Sequence, residues 1–508
     1  MMATAKGTAL RARVFASSYR DSVELMRIAA ELERLPGITR AGLVMGTIAN
    51  RAVLLQAGLL SAVPDTAGAN DLIAAVAASD PGLADAALER AAALLTTPAV
   101  DTARARESFA PTTLAEALSA GPANLALIST PGTYATAEAL KALKRGLHVF
   151  LFSDNISIEE EIELKTLAVK KGLLLMGPDC GTAIIDGIPL GFANAVARGT
   201  VGLIGASGTG LQQVTCLIDR LGAGVSQAIG VGGRDLDERV GGTMMLAALD
   251  LLAADPGTSV IVLLSKPPAP AVAERVLAKA RAAGKPVVVN FLGSDPSFAR
   301  RAGAIPAVTL EDAARAAVAL TRGEAPLGVD DDDNDEAVVA RAETAKLAVG
   351  QRCVRGLYSG GSLAYEAKVV LKLVLGDAAK HSTIVDLGDD EFTVGRPHPM
   401  IDPRLRFEHI VATGSDEQAA VLLLDVVIGY ASHPDPAGAL APAIARARDI
   451  ARRSGRYLAV VASICGTDRD TQGLAAQEST LVAAGVLVQP SNARAARLAA
   501  LIAKAARP

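Results

Sequence analysis

Residues 201–211 read VGLIGASGTGL, and residues 353–363 read CVRGLYSGGSL. In each, an apolar run of the kind found in buried parallel strands enters a Ser-Gly turn, and a helix is predicted at once, over Leu211–Leu221 and Leu363–Leu375. Strand, small-residue turn and helix in direct succession is the building unit of a doubly wound α/β sheet. Two further features follow in the same order. The next strand ends in a glycine-acid cluster, Gly232-Gly233-Arg234-Asp235 in one copy and Gly388-Asp389-Asp390-Glu391 in the other. An apolar strand comes after it, Ser259–Leu264 and Ala420–Val427. A shared order of three features predicts an internal duplication. The competing explanation is that α/β units in general share this rhythm.

The two turns carry a definite chemistry. Small residues let backbone approach a ligand, and the unpaired N–H groups of the helix start, with the helix dipole behind them, face negative charge. Ser207, Gly208, Thr209 and Gly210 form one candidate phosphate loop, and Ser359, Gly360, Gly361 and Ser362 the other, with Gly233 and Asp235 as further contacts. The plain alternative is an ordinary βα turn with Gly for tight packing. Neither loop is a Walker A motif, because no Gly-Lys-[Ser/Thr] follows.

Outward from these loops the chain divides into five segments. Residues 1–120 read as a small α+β cap domain with a βαβ-helix-β-helix order between Ala9 and Leu95. Residues 121–198 alternate strand and helix as half of a doubly wound sheet that ends in Gly177-Pro178-Asp179-Cys180-Gly181-Thr182; the dinucleotide fingerprint G-x-G-x-x-G is absent. Residues 199–323 and 351–508 are the two similar α/β units. Between them, residues 324–350 carry Asp330–Asp333, Asp335 and Glu336 and read as a solvated acidic linker. The fold class is α/β, with several parallel doubly wound sheets of Rossmann or flavodoxin type behind the N-terminal cap.

Composition bounds the function. Half of the 508 residues are hydrophobic, so several cores can fill without metals or disulfides. Only 3% are aromatic and the net charge is −4 without a Lys/Arg block, which argues against nucleic-acid partners. No segment reaches the ~18 apolar residues of a membrane span. The four cysteines are scattered and form no C-x-x-C pair, which fits a reducing cytosol. Cys180, in its tight turn, is expected to be a small buried hydrophobe before it is a reactive thiolate.

The segment Asp386–Pro403 concentrates an imidazole, a guanidinium and carboxylates in a Pro/Gly-rich loop after a strand, where open sheets place their sites. His398 is the candidate general acid or base, Arg396 and Arg234 are candidate anion or oxyanion contacts, and Asp389 and Asp390 either orient these groups or hold Mg²⁺. An incidental surface His is the alternative. Asp425, within an apolar strand, either reaches the same cleft or caps a turn.

At Phe152–Asn155, Met176–Thr182, Ile204–Gly210, Gly232–Gly242, Ser265-Lys266-Pro267-Pro268, Asp386–Pro403, Val421–Tyr430 and Gly466–Asp470, the chain resembles the FdrA family of acyl-CoA-synthetase-like proteins over nearly its whole length. A deeper similarity links Ala123–Ala316 to the succinyl-CoA synthetase α subunit, and residues 351–508 to the C-terminal domain of its β subunit. The resemblance implies that both Ser-Gly loops converge on one phosphate. It also makes residues 121–198 CoA-binding-like, with Pro131, Gly132, Thr133, Asp154, Asn155, Pro178 and Asp179 as the contacts. Where the synthetase carries its phosphorylated histidine in His-Ala-Gly-Ala, this chain has Arg301-Ala302-Gly303-Ala304. No ATP-grasp domain is recognisable. The resemblance implies phosphate as a direct reactant in an oxamate carbamoyltransferase with companion subunits, converting an oxalurate-like N-carbamoyl compound to carbamoyl phosphate. The ligands expected are phosphate or carbamoyl phosphate, then CoA and Mg²⁺. An acyl-CoA synthetase and a CoA-binding scaffold are the alternatives.

Overall fold

A computed structural model describes residues 9–20, 22–96, 111–326, 333–393 and 397–506. The chain divides into two compact units, residues 1–110 with 390–397, and residues 111–389 with 398–508.

The first unit runs β1 (Ala9–Phe15), α1 (Ser22–Glu33), β2 (Ile38–Met45), α2 (Ile48–Gln56), β3 (Leu72–Ala78) and α3 (Pro81–Thr96), in the order expected from sequence. β3 lies between β1 and β2 and is antiparallel to both. Its run LIAAVAA has no polar residue because both faces are covered. Leu72, Ala74, Val76 and Ala78 join the core under α1 and α3, while Ile73, Ala75 and Ala77 join the smaller core with Leu54 and Leu59. The period of two along a strand sorts one sequence into two cores.

The second unit holds three sheets. After α4 (Leu114–Ala120), β4 (Leu125–Ile128), α5 (Gly132–Lys144), β5 (His148–Leu151), α6 (Ile158–Lys170) and β6 (Leu175–Met176) form a three-stranded parallel sheet in the order β4-β5-β6. Ser157 and Glu160 close a capping box at the start of α6.

The next elements are β7 (Thr182–Ile185), β8 (Ile188–Gly191), β9 (Arg198–Ala206), α7 (Gly208–Arg220), β10 (Val225–Gly230), α8 (Thr243–Ala254), β11 (Val260–Ser265), α9 (Pro270–Arg281), β12 (Val287–Phe291), α10 (Pro296–Arg301), β13 (Ile305–Pro306) and α11 (Leu310–Thr321). Their sheet has the order β13-β12-β11-β9-β10-β7-β8. The hairpin β7-β8 belongs to this sheet, so the sheet starts upstream of the boundary expected at residue 199.

The acidic linker is only partly a linker. From Asp333 it becomes α12 (Asp333–Thr344). Arg494 and Arg497 pair with Glu336, and Thr344 donates to the carbonyl of Ile502, so α12 is docked by its charges and its buried Ala340. Residues 327–332 lie outside the described residues.

The last sheet uses β14 (Cys353–Tyr358), α13 (Gly361–Leu375), β15 (Thr383–Asp386), then, beyond α14 (Asp390–Thr393), α15 (Arg404–Thr413), β16 (Ala419–Val427), α16 (Pro436–Arg453), β17 (Ala459–Cys465), α17 (Leu474–Ala483), β18 (Leu487–Gln489) and α18 (Asn492–Ala505). Its order is β15-β14-β16-β17-β18, all parallel. With the β7-β8 hairpin set aside, the preceding sheet is β10-β9-β11-β12-β13, which is the same order. The duplication read from three sequence features therefore extends to topology. In each sheet the winding reverses at the first and third strands of the unit, β9/β11 and β14/β16, and such switch points open a crevice at the strands' carboxyl ends. Helices α7, α11, α13 and α18 pack between the two sheets in one continuous apolar core.

Candidate active site

β9 and β14 each deliver their Ser-Gly turn to the start of a helix, and the two starts meet. Ser207 is the N-cap of α7, and its Oγ accepts from the Gly210 N–H at 3.0 Å. The same hydroxyl donates to Ser362 Oγ at 2.6 Å, and the Ser362 N–H donates to Thr209 Oγ1 at 3.3 Å. Gly360 is small because Thr209 stands against it: a Cβ there would lie 2.9 Å from the Thr209 methyl. Among the described residues the N–H groups of Gly208, Thr209 and Gly361 have no protein acceptor. Two helix N-termini thus present free donors at one junction.

The second loop is less open than sequence suggests. The Ser359 N–H, the Ser359 hydroxyl and the Gly360 N–H all donate to the Asp425 carboxylate, at 2.9, 3.1 and 2.9 Å. Asp425 comes from β16 and is fully buried, and Arg406 of α15, itself buried, donates to it at 2.6 Å and to the carbonyl of Leu357 at 2.8 Å. This ion pair shapes the turn and takes the amides of Ser359 and Gly360 away from any ligand. Gly361 and Ser362 remain as the ligand-facing part of that loop.

Asp386, at the end of β15, accepts the Gly388 N–H at 2.9 Å and faces Gly361 with its other oxygen. Burial, with the charges of Asp425 and Asp389, pushes its carboxyl up to about 6, against the Gly388 N–H and the Lys266 ammonium. His398 sets Nε2 against Gly388, 2.6 Å from where a Cβ would stand. Its ring lies 5.5 Å from that of Phe192. The Met400 N–H donates to His398 Nδ1 at 3.2 Å, so the neutral ring carries its proton on Nε2. Burial depresses the imidazole to about 4. His398 is therefore a neutral hydrogen-bond donor near pH 7, which corrects its reading from sequence as a general acid or base there; Asp386 is the group that titrates nearest to neutrality.

Other expected site residues are committed elsewhere. Arg234 donates to the carbonyl of Ile156 at 2.8 Å and pairs with buried Glu161 at 2.9 Å. Asp235 accepts from buried Lys165 at 2.7 Å and from the Met244 and Met245 N–H groups at 3.1 and 2.9 Å. Both anchor the Gly232–Gly242 loop to α6 and α8, which corrects their assignment as oxyanion and phosphate contacts. Gly233 lines a narrow cleft with Asp179, Thr182, Ser207 and Gly208. Asp389 follows Gly388 directly, but Asp390 belongs to the N-terminal unit and Arg396 lies outside the described residues. The compact cluster read from Asp389 to His398 is thus interrupted where the chain leaves the second unit. The described residues contain no group of three or more His, Cys, Asp or Glu suited to a metal.

The CoA-binding-like residues do come together. Pro131 and Gly132 start α5, where Gly132 is pressed against the backbone of Asp154 and Asn155. The Asp179 N–H, after the cis Gly177-Pro178 bond, donates to the carbonyl of Ser153 at 3.0 Å. Pro131–Thr133, Asp154–Asn155 and Pro178–Asp179 thereby line the carboxyl ends of β4, β5 and β6. Cys180 is buried and its thiol is pushed up to about 12 by that burial, as a packing residue's would be.

Comparisons with known proteins agree with this architecture. Family models described as CoA-ligase, CoA binding domain and "AllF, heavy metal-associated domain" match residues 357–502, 197–293 and 8–111. The CoA-binding match falls on the sheet that carries Ser207, downstream of residues 121–198. Residues 8–111 contain neither Cys nor His, so that segment offers no thiolate or imidazole ligand to a metal. The uncharacterized protein YahF of Escherichia coli is 41% identical over 502 residues, spanning 95% of this chain and 96% of that protein. The ADP-forming sulfoacetate-CoA ligase subunit SauD of Bilophila wadsworthia is 29% identical over 28% of this chain and 50% of its own length. Subunit alpha 2 of the ADP-forming succinate–CoA ligase of Archaeoglobus fulgidus is 28% identical over 30% of this chain and 53% of its own length.

Proposed function

The chain belongs to the FdrA-like family of succinyl-CoA-synthetase-type proteins, and from that premise we propose that it is an acyl-CoA-ligase-like enzyme subunit whose reaction runs through an acyl phosphate held at the starts of α7 and α13. The observation that carries this is the 2.6 Å hydrogen bond between Ser207 and Ser362, which joins two helix N-termini with free amides at one point. Helix ends of this kind favour a dianion, and two of them fix its orientation before reaction. A phosphate oxygen attacks the acyl carbonyl carbon, and the oxyanion that forms is met by amide donors and by Nε2–H of neutral His398. The acyl–leaving-group bond then breaks with a proton delivered by Asp386. With an acyl-CoA as donor the leaving group is the CoA thiol; the ligase direction is the reverse, in which the thiol attacks the acyl phosphate, the new C–S bond forms and inorganic phosphate leaves. CoA as a reactant and companion subunits are supported by the similarity to CoA-ligase subunits and by the CoA-binding match.

A second reading keeps the same acyl phosphate and makes the acyl group carbamoyl: phosphate displaces the amide nitrogen of an oxalurate-like compound and yields carbamoyl phosphate and oxamate. It is favoured by residues Arg301–Ala304, which offer no imidazole as a phosphate carrier. Isothermal titration of the full chain with inorganic phosphate and with CoA, followed by ³¹P NMR with oxalurate and phosphate, tests both. Phosphate binding lost in Ser207→Ala and Ser362→Ala is expected. An absence of phosphate binding in the wild-type chain refutes the acyl phosphate. CoA binding selects the ligase, and carbamoyl phosphate formation selects the transferase.

A further inference from the structure

The loop after β11 carries a cation, Lys266, at the same end of the sheet as Ser207. β11 and β9 are adjacent parallel strands with Ser265 opposite Ala206, so the next residues, Lys266 and Ser207, leave the sheet side by side at its switch point. Pro267 and Pro268 follow and restrict the backbone of the turn. Lys266 is exposed. Its Nζ would lie 3.7 Å from a methyl placed on Gly361, the first residue of α13. No carboxylate lies within 4.0 Å of this ammonium among the described residues, and it makes no hydrogen bond there.

A helix start carries partial positive charge, and a cation beside it is unfavourable without an anion close by. The Asp386 carboxylate, which faces Gly361, is the countercharge here, but it does not come within 4.0 Å of the ammonium. A phosphoryl group at the helix start would meet the ammonium directly. A second feature points to the same space: the half-buried His398 ring aims Nε2 at Gly388, beside Asp386, and that nitrogen has no hydrogen-bond partner among the described residues. A cation, a neutral donor and the free amides of Gly208, Thr209 and Gly361 therefore surround one volume.

The geometry points to Lys266 as the residue that clamps the phosphoryl oxygens of the substrate against the start of α13. This inference deepens the acyl-phosphate reading and rests on it. Lys266 is a point cation on a flexible stem that follows the phosphoryl group as its bond to the acyl carbon forms or breaks.

The test is isothermal titration of inorganic phosphate into the full chain, its Lys266→Gln and Lys266→Arg variants, and Lys171→Gln as a remote surface control. Melting temperatures establish that all four are folded. Lys266→Gln is expected to weaken phosphate by at least about tenfold, the scale of a lost charge-assisted hydrogen bond, while Lys266→Arg stays within a few-fold of wild type. Wild-type affinity in Lys266→Gln overturns the clamp and leaves the phosphate site standing. Equal loss in Gln and Arg overturns the electrostatic role in favour of loop shape. A wild-type chain that binds no phosphate overturns the clamp together with the reading beneath it.

Discussion

Arg406 donates to Asp425 at 2.6 Å with both side chains buried, and the same carboxylate gathers the Ser359 and Gly360 amides. A buried pair of this kind is held by its completeness. Removing one partner strands the other charge out of water, at a cost of roughly 3–5 kcal/mol. Arg406→Ala is therefore expected to lower unfolding stability on that scale in urea titration. Arg198→Ala, which breaks the exposed pair with Asp186, is expected to cost no more than about 1 kcal/mol. Equal effects from the two variants would refute the structural role given to Asp425.

Glu366 of α13 sits in the core, where it accepts the Leu310 N–H at 2.6 Å and Asn492 Nδ2 at 2.8 Å. Burial raises its carboxyl to about 7. A folded-state value above the unfolded one means that the folded state binds the proton more tightly. The resulting stabilisation is full below about pH 4.5 and is lost as pH rises through about 7. Wild type is expected to lose roughly 2–3 kcal/mol relative to Glu366→Gln between pH 4.5 and 8, a difference that denaturant titrations at several pH values will measure. A pH-independent difference rules the linkage out.

At the junction itself, the two titratable groups predict a particular pH profile. His398 is depressed to about 4 and stays neutral throughout the working range, whereas Asp386 at about 6 changes state within it. As a proton donor Asp386 is active while protonated, so the high-pH limb of turnover, lost as pH rises through about 6, is expected to follow it and to vanish in Asp386→Asn. His398→Ala should lower turnover by roughly 10²–10³-fold, as loss of an oxyanion donor does, without moving that limb. A phosphohistidine signal in ³¹P NMR of the turning-over enzyme would contradict the donor role.

Much of this was legible in sequence because it is local. The two Ser-Gly turns, their strands and the order of the duplicated features depend on runs of fewer than a dozen residues, and both sheets wind as that order requires. The partnerships that sequence missed act across the sheet. Asp425 stands alone in the apolar run VLLLDVV, and a lone carboxylate in a buried strand announces an unseen partner, but nothing in the run says that the partner is Arg406 or that the pair would take the Ser359 turn. Contiguity misled in the Asp389–His398 segment. Those residues are neighbours along the chain, yet Asp390 is grouped with the N-terminal unit and residues 394–396 lie outside the described residues, while Asp386 and His398 meet at Gly388. Arg234 and Asp235 looked catalytic because they follow glycines after a strand; they are drawn off by Glu161 and Lys165, which lie some seventy residues earlier.

Gly361 offers the sharpest separation of binding from stability. It begins α13, and a side-chain methyl there would run into the Asp386 carboxylate on the side that faces the junction, where Lys266 also stands. The helix itself tolerates alanine at its first position, since alanine is the better helix former. Gly361→Ala is thus expected to leave the melting temperature nearly unchanged while it displaces Asp386 into the anion's place. Phosphate affinity should fall by at least about tenfold, because a carboxylate at the helix start competes with the ligand for the same amides. Titration of the variant with inorganic phosphate, beside its thermal melt, checks both halves. Undiminished phosphate affinity in a folded Gly361→Ala chain would mean that the anion does not sit at this helix start.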